Sequence, residues 1–111
     1  MILIGITGTN GSGKGTVVDF LVQEKGFTHY AARDFLSKEV LRRGLPLDRS
    51  SMRDVANELR ALHEPAYVVK SLYEEAVKNN EERVVIESVR NVGEAEFLKG
   101  KGAFLVAVDA D

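Results

Sequence analysis

Residues 1–16 read MILIGITGTNGSGKGT, an aliphatic, β-branched opening that runs into a segment with glycine at Gly8, Gly11, Gly13 and Gly15, lysine at Lys14 and a hydroxyl at Thr16. Met1 to Thr7 is too short for a helix of its own and reads as a buried parallel strand. From Lys14 to about Lys25, Val17, Val18, Leu21 and Val22 recur at helical spacing, and Gly26 is placed to stop that helix. A glycine-rich turn between a strand and a helix, with lysine at the helix start, is the pattern of a phosphate-binding P-loop. The glycines let consecutive backbone N–H groups face inward, the helix offers its positive end, and the lysine neutralises the outer phosphates. The expected ligand is a nucleoside triphosphate, ATP, held by Gly8, Asn10, Gly11, Ser12, Gly13, Lys14, Gly15 and Thr16.

Beyond this opening the pattern alternates. Phe27 to Ala31 reads as a short strand, and Asp34 is placed to cap a helix carrying Leu36 and Val40 that ends at Arg43-Gly44. Ser51, with Asp54 three residues on, resembles a capping box for a helix whose stripe is Met52, Val55, Leu59 and Leu62. Pro65 separates this from a helix bearing Val69, Leu72 and Ala76, which fades at Asn79-Asn80. Arg83 to Val89 returns to a short strand, Glu94 to Lys99 to a helix, and Phe104 to Val108 to another buried strand. Strands alternating with helices predict an α/β fold, a P-loop three-layer α/β/α arrangement with a parallel sheet of four strands covered on both faces. Its binding site is expected at the carboxyl ends of the strands.

Bulk properties narrow the function classes. With 111 residues, 44% hydrophobic and 29% charged, the chain suits one domain spanning 1–111 with a real core. The net charge of −2 argues against nucleic acid as the partner. Cysteine is absent, which removes disulfides and thiolate metal sites. No stretch approaches the roughly 20 apolar residues of a membrane helix and no leader pattern opens the chain, so a cytoplasmic protein with no membrane partner is expected.

The motif departs from the general P-loop form, because Gly15 follows the lysine and the hydroxyl arrives one residue later. Gly8-Thr9-Asn10-Gly11-Ser12-Gly13-Lys14-Gly15-Thr16 resembles the loop of the nucleoside monophosphate kinases, adenylate kinase in particular. The resemblance extends along nearly the whole chain. Arg33-Asp34-Phe35-Leu36 stands where adenylate kinases carry a Gly-Asp-x-Leu stretch whose acidic residue faces the phosphate–magnesium site, a role compatible with helix capping by Asp34. Val84-Val85-Ile86-Glu87-Ser88-Val89-Arg90 resembles their third-strand segment ending Asp-Gly-Phe-Pro-Arg. There Glu87 replaces the aspartate and Arg90 matches the arginine that grips acceptor phosphate; the alternative is a pair of exposed charges past a strand end.

The resemblance implies a kinase moving the ATP γ-phosphate to a nucleoside monophosphate or a related acceptor such as dephospho-coenzyme A. It implies magnesium organised by Thr16, Asp34 and Glu87, with Lys14 and Arg90 acting on the phosphates. Residues 33–80 correspond to the helical segment that closes over the acceptor. Arg33, Arg53 and Arg60 are its candidate phosphate contacts, and Glu94 falls where a base-reading glutamine sits. Glu94 has a bland alternative, a solvated residue in a helix's first turn. His29, His63, Phe35, Tyr67 and Tyr73 read as structural, core or rim residues. Relative to this family the chain stops at Val108-Asp109-Ala110-Asp111, before the arginine-bearing lid and last strand. Binding is therefore expected to outlive catalysis, a nucleotide-binding module without turnover is the competing reading, and a thinly covered sheet edge is expected to favour a homo-oligomer.

Overall fold

The computed structural model describes residues 1–8, 13–87, 89 and 91–108. Along the chain these form β1 (Ile2–Gly8), α1 (Lys14–Lys25), β2 (Thr28–Ala31), α2 (Ala32–Arg42) and α3 (Arg49–Leu62). They continue with α4 (Tyr67–Lys78), β3 (Arg83–Glu87), α5 (Val92–Gly100) and β4 (Phe104–Val108). The strands make one sheet in the order β2-β3-β1-β4, every pair parallel. β3 is buried because it lies between two strands, and Val84, Val85 and Ile86 are shielded on both faces.

Alternation along the strands divides the core. Ile6 and Val85 point to the side of α1 and pack with Val18 and Phe27. Leu3, Val84 and Ile86 point the other way, onto Leu36 and Val40 of α2, Val55 and Leu59 of α3, Val69 and Leu72 of α4, and Leu98 of α5. The result is the expected three layers, with one helix on the first face and four on the second. The expectation of full cover holds less well on the α1 face. Phe104 is 69% exposed and Ile2 is exposed too, because β4 is an edge strand and α1 lies over β1 and β3. The expected buried fourth strand is thus half in solvent.

Three local expectations are corrected. Asp34 does not cap α2: the cap position is Ala31, with no side-chain bond, and Asp34 stands in the first turn, where its charge suits the helix's positive end. The cap of α3 is Asp48 rather than Ser51. Its carboxylate accepts from the Ser51 amide at 2.7 Å and starts the helix at Arg49. Leu62 lies off the buried stripe of α3, which is Val55, Ala56 and Leu59, and is 69% exposed.

Candidate functional site

β1 delivers the chain to its carboxyl end at Gly8, and α1 starts six residues later at Lys14. The residue that turns the chain into the helix, Gly13, has φ 91°, a left-handed conformation that a β-carbon would strain. Its carbonyl accepts from the amides of Thr16 and Val17 at 3.1 and 3.3 Å, closing the first turn. Among the described residues the amides of Lys14 and Gly15 have no acceptor, and a glycine cap has no side chain to satisfy them, so they suit an anion. Lys14 is only 9% exposed at this position. Among the described residues no carboxylate lies within ion-pair distance of it. A shielded ammonium without a counter-charge is suited to an incoming phosphate. Asn10, Gly11, Ser12 and Arg90 lie outside the described residues.

The neighbouring strand ends converge on the same edge. Glu87, the last residue of β3, is in register with Ile6 of β1 and Ala31 of β2. Its carboxylate is three-quarters buried and lies 3.4 Å from Nε2 of His29, the histidine taken as structural. Arg33 and Asp34 stand exposed in the first turn of α2, and Thr16 is exposed in the first turn of α1. Among the described residues no three histidine or acidic groups are gathered tightly enough to hold a metal alone. Oxygen donors at separate element ends suit magnesium, which keeps most of its waters and takes its other ligands from phosphates.

Two residues that sequence reasoning did not single out hold this edge in place. Thr7 donates through Oγ1 to the Val89 carbonyl at 2.8 Å, and the Val89 amide donates to the Ile6 carbonyl at 3.0 Å. These bonds pin the exit of β3 to the end of β1, across 82 residues of sequence. The only sequence signal was a lone hydroxyl at the end of an aliphatic strand. Asn91 caps α5 by accepting from the Glu94 amide at 2.8 Å, and its Nδ2 donates to the Pro65 carbonyl at 3.1 Å.

The candidate acceptor residues separate. Arg53 is exposed on α3, 3.9 Å from the equally exposed Asp54. Arg60, 19% exposed, reaches Oε2 of Glu94 with Nη2 at 3.2 Å. Glu94 is fully buried, so the bland reading of a solvated helix residue is corrected. His63 ends α3 stacked on Tyr67 at 4.1 Å, and Phe35 meets Tyr67 edge-on at 6.5 Å, rim positions as expected. An open groove of about 490 Å³ runs between the end of α3, with His63 and Glu64, and Tyr67, Lys70 and Ser71 of α4. None of the predicted site residues lines it.

Away from the strand ends, α2 and α3 are joined by charge. Arg43 donates to Glu39 within its own helix segment at 3.0 Å and to Glu58 of α3 at 2.7 Å. The guanidinium of Arg42, followed by that of Arg43, hydrogen-bonds Glu39 and holds its carboxyl down at about 2.

Comparison with known proteins agrees with this fold. The AAA domain family model matches residues 7–106. A UPF0200 protein of Methanococcus vannielii is 37% identical over 109 residues, covering 95% of this chain and 57% of the relative. A UPF0200 protein of Aeropyrum pernix is 32% identical, covering 98% of this chain and 58% of the relative. The chain therefore spans little more than half the length of these curated relatives. Among solved structures, a sugar kinase from Janibacter matches with a TM-score of 0.55 at 18% identity, covering 98% of this chain and 60% of that one. At that identity the likeness concerns the fold. No helix among the described residues is long and apolar enough to cross a membrane.

Proposed function

This chain belongs to the AAA domain family, a P-loop kinase-like family, and from that membership we propose that it binds ATP with magnesium and transfers the γ-phosphate to a nucleoside monophosphate or a related acceptor. The observation that carries this reading is the junction at Gly13-Lys14, a left-handed glycine followed by a shielded lysine that has no carboxylate partner among the described residues, at the head of a helix fed by the central strand. In this reading Gly8, Asn10, Gly11, Ser12, Gly13 and Gly15 cradle the phosphates with backbone N–H groups. Lys14 offsets their charge as it moves toward the leaving oxygen. Thr16, Asp34 and Glu87 orient the water shell of magnesium, which supplies charge neutralisation when bound. Arg90 and Arg60 hold the acceptor's phosphate, with Arg33 and the more remote Arg53 as further contacts. No side-chain nucleophile is needed, because positioning and charge stabilisation do the chemical task.

The test is to incubate the chain with ATP, magnesium and a panel of nucleoside monophosphates and dephospho-coenzyme A, and to follow ADP. ADP that appears with one acceptor only supports the kinase. Binding of ATP with no ADP in any mixture supports a module without turnover, and ADP independent of acceptor supports a plain hydrolase. Among the described residues β4 has no strand beyond it, an edge that supports self-association, which light scattering reads directly.

A further inference from the structure

Glu94 presents a chemical problem. A carboxylate with 0% exposure forfeits its hydration, and only partners of opposite charge or hydrogen-bond donors make such burial tolerable. Among the described residues a cation that approaches it is Arg60, from a helix 34 residues earlier in sequence, at 3.2 Å. Arg60 is not consumed by that contact. Its Nε is buried and, among the described residues, has no hydrogen-bond partner, while the side chain as a whole keeps 19% exposure, so part of it stays open to solvent. The same two regions are joined a second time by the Asn91–Pro65 hydrogen bond of 3.1 Å. They also touch at Gly93, where a β-carbon would sit 3.1 Å from Cβ of Pro65. Three features thus fasten the α3–α4 corner to the start of α5, immediately after the strand end that carries Glu87.

We propose that Glu94 is a positioning residue: it fixes the guanidinium of Arg60 as a cation for the phosphate group of the acceptor, and it does not read the acceptor's base. A fully buried carboxylate cannot meet a base arriving from solvent without first giving up its arginine. A guanidinium held from one side keeps its other N–H groups in a fixed fork, the geometry that suits phosphate oxygens. The inference rests on the kinase reading for the presence of a phosphorylated acceptor.

The experiment titrates AMP, CMP and ATP separately into the 111-residue chain and its Glu94→Gln and Arg60→Lys variants by calorimetry, with a thermal melt of each. Positioning predicts that AMP and CMP affinities fall together, by roughly tenfold in Glu94→Gln, the loss expected for one charge-assisted hydrogen bond, and by at least as much in Arg60→Lys, which removes the fork itself. ATP affinity stays within about twofold, because Lys14 is untouched. A change in the AMP-to-CMP ratio would show base reading and overturn the proposal. A parallel fall in ATP affinity and melting temperature would show a purely structural pair and also overturn it. Should Glu94→Gln fail to fold, Arg60→Lys, which keeps the charge opposite Glu94, decides between the same outcomes. A wild-type chain that binds ATP but neither monophosphate sinks this inference and leaves ATP binding standing. One that binds a monophosphate but not ATP does the reverse.

Discussion

The two faces of the sheet are built by different means. On one, α1 alone packs over Ile6 and Val85, and the same helix presents Lys14 at its head. On the other, α2, α3, α4 and α5 share a larger cluster and carry Arg60 and Glu94. The first face obtains its site from a local turn of the backbone, so core and site are separable. The second obtains its pairs from contacts between distant segments, so the site depends on packing. A phosphate cradle can therefore tolerate a thin layer beneath it, whereas an arrangement of side chains from three helices cannot.

The comparison breaks most readily at the cores. Leu72→Ala, on the four-helix face, is expected to cost about 2–5 kcal/mol in urea unfolding. Val18→Ala, on the α1 face, is expected to cost about 1–2 kcal/mol. Equal losses would mean that the two faces are equally well packed. Next in size is Lys14→Ala. It should weaken ATP binding roughly 10- to 100-fold by calorimetry with the melting temperature kept, since no described carboxylate relies on that lysine. If the melting temperature falls with the affinity, site and core on the α1 face are not separable after all.

Smaller effects sharpen the picture of the helical face. Asp48→Ala removes the bond to the Ser51 amide and should cost about 1 kcal/mol, seen as faster amide exchange in the first turn of α3. The pH dependence has a definite sign. The carboxyl of Glu39 is lowered from its ordinary 4.5 to about 2 by Arg42 and Arg43, so its contribution is full above pH 4.5 and is lost as pH falls toward 2. Glu39→Gln should flatten that part of an acid unfolding curve. An unchanged slope would show that the Arg43 link between α2 and α3 carries none of the acid sensitivity.

How much of this could be read from sequence follows the same division. The strand–glycine–lysine–helix order is contiguous, and its geometry is dictated by glycine's freedom and helix polarity, so β1, α1 and the place of Lys14 at the helix head are legible in the sequence. The helix stripes Val69, Leu72 and Ala76 were readable by period. The cap of α3 was not, because Asp48, Ser50 and Ser51 are all acceptable caps and tertiary packing selects which one the helix starts from. Nor was the Arg60–Glu94 pair. Glu94 in isolation is an ordinary first-turn glutamate, and only the approach of α3 turns it into a buried charge. The resemblance to nucleotide kinases places Glu94 where a base-reading residue sits, and nothing in that pattern signals its pairing with Arg60. The exposure of Phe104 escaped notice because an apolar pentapeptide reads alike at the centre and edge of a sheet.

The position of β1 has a consequence in time. It precedes both its ladder partners in the chain and sits at the centre of the sheet, and those partners come late: Ile2 meets Arg83 and Ile4 meets Phe104. At ~5–20 residues per second, the stretch between β1 and β3 occupies a ribosome for roughly 4–15 s, during which this aliphatic strand has neither neighbour. Folding must wait on those distant pairings, and slow, non-local assembly of this kind exposes a sticky segment for as long as it lasts. The nascent chain is most in need of a chaperone before residue 83 has emerged, and a synonymous change that slows translation between α1 and β3 would lower the yield of folded protein without altering a single residue of it.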